Sequence, residues 1–187
     1  METLSSIFKA YDIRGKYPEE INAEAGYAVA RAFVPFLEKR YGISVGPRVI
    51  LGWDVRLSSP EISAAAKRGL VEAGAEVIDT GLVTTPMHYW VLGMTKADGG
   101  VMITASHNPG DYNGMKLSGR QVEPLAEENA FPEIRTLMQK PEPVGLEQGR
   151  AETKDYLEDY LAFLAARFSP GPLTIVVDAS SGAVGVV

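Results

Sequence analysis

The residues best suited to chemistry stand in one short run, Thr104-Ala105-Ser106-His107-Asn108-Pro109, with Gly110, Asp111, Tyr112, Asn113, Gly114, Met115 and Lys116 after it. The run follows Gly100-Val101-Met102-Ile103, an apolar stretch that reads as a buried strand. Ser106 is therefore expected at the carboxyl end of a strand, where open α/β sheets place their ligand sites. On a loop rich in Gly, Asp and Asn its hydroxyl can be held away from the core and reach a substrate. The plainer reading is that Ser106 satisfies a turn and His107 packs on it, and the local pattern leaves both open.

The elements that must position this loop are legible around it. A helix is expected from about Asn22, with Val29, Phe33, Phe36 and Leu37 on one face, a kink at Pro35 and Gly42 as its stop. Arg48-Val49-Ile50-Leu51-Gly52 reads as a buried strand. Ser58-Ser59-Pro60-Glu61 supplies a cap, a first-turn Pro and an early Glu for a second helix ending near Gly74. Val77-Ile78-Asp79 is a further strand, and Thr85-Pro86 opens a third helix with Met87, Trp90, Val91 and Leu92. A short strand or turn is expected at Met115-Lys116-Leu117, then a helix over 126–138. Strands alternating with helices predict an α/β layered fold with a mostly parallel mixed sheet flanked by helices.

The stretch 141–149 holds two prolines and two glycines and reads as a linker. Residues 1–145 are thus expected as one domain carrying the serine loop, and 146–187 as a linker and the truncated start of a second α/β domain. In that second part Leu157, Leu161, Leu164 and Phe168 fall at helical spacing, residues 173–178 read as a buried strand, and Ser180-Ser181-Gly182-Ala183 as a turn opening into a helix.

Composition narrows the function classes. The 187 residues carry a formal net charge of -6, which argues against a broad basic face for nucleic acid. There is no cysteine, so no disulfide or thiolate, and the two histidines, His88 and His107, are too few for a zinc cage. Residues 1–11 hold no sustained apolar stretch, so neither a secretory signal nor a membrane span is expected, and a cytoplasmic location is the default. Neither a Walker loop nor a Gly-x-Gly-x-x-Gly turn is present, which removes support for a generic nucleotide-binding domain.

The loop from Thr104 to Pro109, with Tyr112-Asn113-Gly114-Met115-Lys116, resembles the phosphoserine loop of the α-D-phosphohexomutases, the family of phosphomannomutase and phosphoglucomutase. Tyr11-Asp12-Ile13-Arg14-Gly15 is similar to that family's amino-terminal motif, and the resemblance extends over essentially the whole chain. Trp53 in Gly52-Trp53-Asp54-Val55-Arg56 departs from it, because many members have a basic residue there. The resemblance implies interconversion of hexose 1-phosphate and hexose 6-phosphate (mannose, glucose or both), through phosphorylated Ser106 and a hexose 1,6-bisphosphate that serves as intermediate and activator. It implies Ser106, Lys116, His107 and Arg14 as catalytic residues, and Tyr11, Arg14, Asn108 and Lys116 as substrate or phosphate binders. Arg14 can clamp phosphate oxygens in a fork. Lys116 can shuttle the proton of a sugar hydroxyl if the site lowers its pKa, with His107 as its rival.

The plainer alternatives are a surface ion pair between Arg14 and Asp12, a solvated Lys116, a His107 that only orients the loop and a packed or surface His88. Arg56 reads equally as a phosphate ligand and as a cap for the loop after it. The family also implies a divalent cation, Mg2+, held through the phosphoryl group on Ser106 and by an Asp-x-Asp-x-Asp loop. That loop is absent here, since Asp54, Asp98 and Asp111 lack its spacing. The expected partner is a sugar phosphate, with neither nucleic acid nor membrane, and the oligomeric state is left open. A phosphoglucosamine mutase and a non-catalytic sugar-phosphate-binding relative are the alternative readings.

Overall fold

Short β-branched runs buried on both faces need helices above and below them, and that requirement organises this chain. The structure, a computed structural model, describes residues 6–44, 46–140, 149–168, 171–180 and 182–185. Six strands form one sheet in the order β1-β5-β4-β2-β3-β6. They are β1 Ile13–Lys16, β2 Arg48–Trp53, β3 Glu76–Leu82, β4 Gly99–Ile103, β5 Tyr112–Ser118 and β6 Arg150–Thr153. The pairs β4–β2, β2–β3 and β3–β6 are parallel, whereas β5 runs antiparallel to both β4 and β1.

Successive side chains on a strand point to opposite faces, and here each face has its own core. Val49, Leu51, Val101, Ile103, Met115 and Leu117 share one core with residues of helices α1 (Ala23–Tyr41), α2 (Ser59–Glu72) and α4 (Phe131–Gln139). Ile50, Ile78 and Met102 face the other way, toward Met87, Val91 and Leu92 of helix α3 (Thr85–Thr95) and toward Tyr156 just before helix α5 (Leu157–Ala165). The result is an α/β layered fold with a mixed, mostly parallel sheet.

Some local signals act where the sequence puts them and others do not. The Asn22 side chain accepts the Ala25 N–H at 3.1 Å to cap α1, and Gly42 ends that helix at φ 63. The helix passes through Pro35 without a break. Thr84 caps α3 by accepting the Met87 N–H, with Pro86 in its first turn. Ser58 stands before α2, but its hydroxyl makes no capping bond and instead accepts from Asn113 Nδ2 at 2.7 Å.

Other elements differ from expectation. Helix α4 starts at Phe131 and not near Ala126, because the Ala126 carbonyl accepts from Ala130 and Phe131 in a separate turn braced by the Asn129 side chain, and Pro132 then opens the helix. Residues 141–148 of the expected linker lie outside the described residues. Immediately afterwards, where the sequence suggests the approach to a second unit, Arg150–Thr153 adds a sixth strand to the first sheet. Helix α5 then lies on α3 through Trp90, whose ring centroid is 5.5 Å from that of Tyr160 and 5.4 Å from that of Phe163. Residues 173–178 do not form the expected buried strand. They have no ladder partner among the described residues, and Leu173, Ile175, Val176 and Val177 are exposed, since an apolar run becomes a strand only beside another strand. The expected helix after them is a single turn, Ala183–Gly185.

His88 on α3 is fully buried against the sheet, in room left by two glycines. A Cβ on Gly52 would meet Nδ1 at 3.2 Å, and one on Gly100 would meet Nε2 at 2.8 Å. Neither ring nitrogen has a hydrogen-bond partner among the described residues, and burial lowers its pKa to about 4. The unfolded chain therefore binds this proton more readily than the folded one below about pH 6.5, so stability falls as the pH drops from there toward 4. From pH 7.5 to pH 5 His88 should remove about 2 kcal/mol from the unfolding free energy. Urea titrations at the two pH values should show this loss, and His88→Leu, which keeps an apolar side chain in the space, should reduce it by most of that amount.

Candidate functional site

Strand β4 ends at Ile103, and the chain leaves the sheet in a loop built on short-range hydrogen bonds. The Thr104 N–H still bonds across to the Gly114 carbonyl at 3.0 Å, while Thr104 Oγ1 accepts the Ser106 N–H at 2.9 Å. Ser106 sits at φ 57, a left-handed conformation that costs an L-residue about 1 kcal/mol and so has to be held by its surroundings. Asn108 donates to the Ala105 carbonyl from both its N–H (3.1 Å) and its side chain Nδ2 (2.8 Å), tightening the turn. Ser106 is exposed, and its Oγ lies 3.3 Å from His107 Nδ1.

The segment after β2 braces this loop. The Asp54 N–H bonds to the Ile103 carbonyl, and Asp54 Oδ1 accepts from the Arg56 N–H (3.1 Å) and the Ser59 hydroxyl (2.7 Å). Arg56 turns inward and donates to the carbonyls of Ser106, Asn108, Pro109 and Tyr112. The loop that Arg56 holds is thus 106–112, and not the one that follows it in the sequence. On the far side of the loop Asn113, fully buried, donates to Ser58 and Ser59 and accepts the Gly114 N–H at 2.8 Å.

Strand pairing places the cations. Arg14 lies opposite Gly114 and Ile13 opposite Met115, so β1 aligns alongside the strand that carries Lys116. Thr104, Gly114 and Arg14 thus form one row across three strands, and Ser106 stands two residues beyond it. Lys116 lies two rows deeper, paired with Met102. Arg14 and Lys116 meet on one carboxylate. Arg14 Nε is 3.3 Å from Asp12 Oδ1 and Lys116 Nζ is 3.6 Å from Asp12 Oδ2. Asp12 is nearly buried, and its Oδ1 has the ion pair but no hydrogen bond of good geometry. Tyr11 beside it is 80% exposed.

The sequence points to Ser106, Lys116 and Arg14 as candidates, but it does not show that Lys116 shares Asp12 with Arg14, that Asn113 braces the loop or which way Arg56 turns. All three depend on the register of strands distant in sequence. The only local hint is Asp54-x-Arg56, an acidic and a basic residue set to pair two positions apart. His88, the other histidine, is packed against the sheet beside Gly52 and Gly100.

A mixed sheet with helices on both faces defines an α/β/α layer protein, and here an exposed serine stands at the carboxyl end of a central strand. Residues 5–144 match the family described as phosphoglucomutase/phosphomannomutase, alpha/beta/alpha domain I, and the chain belongs to that family. It is 40% identical over 185 residues to a protein of Xanthomonas campestris pv. campestris named phosphohexose mutases, and 36% identical over 197 residues to a phosphomannomutase of Escherichia coli. Those alignments take in 96% and 99% of this chain and 40% and 41% of the relatives, so the chain spans about 40% of their length. A crystal structure of a phosphoglucomutase/phosphomannomutase family protein from Burkholderia thailandensis superposes with a TM-score of 0.75 at 29% identity, covering 87% of this chain and 36% of that one.

The row through Gly114 is tight. A Cβ there would lie 2.1 Å from the Ile13 carbonyl oxygen and 3.0 Å from Arg14 Cα, both backbone atoms that cannot swing aside. Gly114→Ala should therefore push β1 off β5, lowering stability by about 1–3 kcal/mol. A lower urea midpoint and weaker amide protection at Ile13 and Arg14 are the expected readouts.

Proposed function

We propose that this chain supplies the phosphoryl-carrying part of a phosphohexomutase, with Ser106 as the carrier. The observation behind the reading is the Ser106 loop itself: an exposed hydroxyl fixed at the end of β4, on a chain of the phosphoglucomutase/phosphomannomutase family. The family description phosphoglucomutase/phosphomannomutase and a relative named phosphomannomutase support glucose and mannose phosphates as the substrates.

In the proposed cycle phosphorylated Ser106 meets a bound hexose phosphate. The bond from Ser106 Oγ to phosphorus breaks as one forms from the free sugar hydroxyl oxygen, and the hydroxyl proton passes, in net terms, to Ser106 Oγ. The resulting 1,6-bisphosphate turns round. Its other phosphoryl group then moves to Ser106 Oγ, whose proton returns to the sugar oxygen it leaves. Neither water nor a nucleotide is consumed, and the enzyme ends phosphorylated as it began.

Phosphoryl transfer depends more on positioning and charge stabilisation than on covalent help, and this sets the remaining roles. The guanidinium of Arg14 binds phosphate oxygens, with Tyr11 and Asn108 at the rim. His107, whose Nδ1 is 3.3 Å from Oγ, and Lys116, held by Asp12, relay the proton. A divalent cation such as Mg2+ would offset charge on the transferring group. No cluster of three or more His, Asp or Glu side chains suited to a metal occurs among the described residues, and this chain would offer the ion the phosphoryl oxygens on Ser106. None of the helices among the described residues is long and apolar enough to cross a membrane.

Two measurements test the reading. In the full-length protein that carries this chain, Ser106→Ala should abolish interconversion of mannose or glucose 1-phosphate with the 6-phosphate while leaving the melting curve unchanged, because it removes one exposed hydroxyl and almost no packing. Turnover near that of the parent would assign the phosphoryl group to another residue. The 187-residue chain by itself should fold yet fail to turn over the same substrates with magnesium and the bisphosphate present. Holding a substrate at its far phosphate is needed to orient it, and that task falls to parts of the protein outside this chain.

A further inference from the structure

A guanidinium has five N–H donors and no acceptor, and in Arg56 every donor faces an oxygen of the protein. Nε is 3.3 Å from Asp54 Oδ2. Nη1 donates to the carbonyls of Pro109 (2.5 Å) and Tyr112 (3.0 Å), and Nη2 to those of Ser106 (3.0 Å) and Asn108 (2.7 Å). The side chain is 10% exposed and the carboxylate of Asp54 balances its charge. No donor is left to point at a phosphate.

The four carbonyls reach from Ser106 to the first residue of β5, so one side chain spans the whole loop. Without a cation among them their oxygens would be buried or crowded together with fewer donors to satisfy them. Ser106 also has the left-handed φ of 57, which its own backbone does not favour. A lysine could not replace this grip, because three donors on one nitrogen cannot reach five acceptors arranged around a planar fork.

We infer that Arg56 is a positioning residue for phosphoryl transfer: it fixes the shape of loop 106–112 and thereby the place of Ser106 Oγ, and it does not bind the substrate's phosphate. The inference rests on the reading of Ser106 as the phosphoryl carrier. A reacting oxygen misplaced by about 1 Å can lower a rate about 100-fold, whereas a substrate held by other residues should still bind.

The test uses Arg56→Lys in the full-length mutase, beside Ser106→Ala, and in the 187-residue chain for amide exchange. The expected result in the mutase is a kcat lower by about 100-fold with KM for the hexose phosphate within about twofold of the parent and Tm close to it. In the shorter chain, amides of loop 106–112 should exchange faster while those of β2 and β4 do not. A raised KM with unchanged kcat would mean that Arg56 binds substrate, and a kcat loss explained by a lowered Tm would make its role one of stability alone. Either result, or parental kinetics, overturns the inference. Should Ser106→Ala remain active, the mutase reading fails, and unchanged exchange in loop 106–112 of Arg56→Lys would separately refute the grip on the loop. If Arg56→Lys does not fold, Asp54→Asn, which removes the charge that balances Arg56 and weakens the Nε contact while leaving the four carbonyl contacts of the guanidinium in place, should lower kcat about tenfold at constant KM, and parental kcat there would count against the inference.

Discussion

One guanidinium ties the end of β2 to the loop that leaves β4, and the geometry of the site depends on it. Arg56 meets Asp54 on its own segment and four carbonyls of the Ser106 loop on the neighbouring one. Asp54 in turn bonds to Ile103 and to Ser59 at the head of α2. The loop is thus held against two strands and a helix by side-chain and backbone hydrogen bonds. A serine in a left-handed conformation is uphill by about 1 kcal/mol, and contacts of this kind are what keep it there.

The rest of the sheet gives that grip a fixed base. Strand β4 is buried along its whole length, with one core on each face, so its carboxyl end cannot shift without disturbing both. Small residues let the layers close. Gly52 and Gly100 make room for the His88 ring, and Gly114 lets the backbone of β1 lie close enough to bring Arg14 beside Asp12 and Lys116. Asp12 is the electrostatic counterpart of Arg56. It allows two like charges to sit on adjacent strands, where they would otherwise repel each other.

The parts of this arrangement legible in the sequence are those with a local cause. Asn22 and Gly42 begin and end a helix through side chain and backbone freedom, Pro86 marks the start of another, and the runs at Val49, Val77 and Val101 announce buried strands by their apolar character. The serine loop stood out because its residue types are unusual directly after such a run. What was not legible depends on distant pairing. Strand β6 reads Arg150-Ala151-Glu152-Thr153, with no apolar pattern, and exists because the edge of β3 offers it hydrogen bonds. Residues 173–178 show the reverse case, an apolar pattern without a neighbour to pair with. The grip of Arg56 joins positions 50 and more apart, and the meeting of Lys116 with Asp12 needs the β1–β5 register. Neither can be derived from spacing along the chain.

The central claim is that Ser106 carries the phosphoryl group, and the most direct measurement is to locate that group. The full-length protein can be exposed to glucose 1,6-bisphosphate, digested and mapped by mass spectrometry. The account predicts one phosphorylated peptide, the one that contains Ser106, with fragmentation placing the phosphate on that residue. Phosphate on a different residue, or an actively turning-over enzyme whose Ser106 is never found phosphorylated, would contradict it.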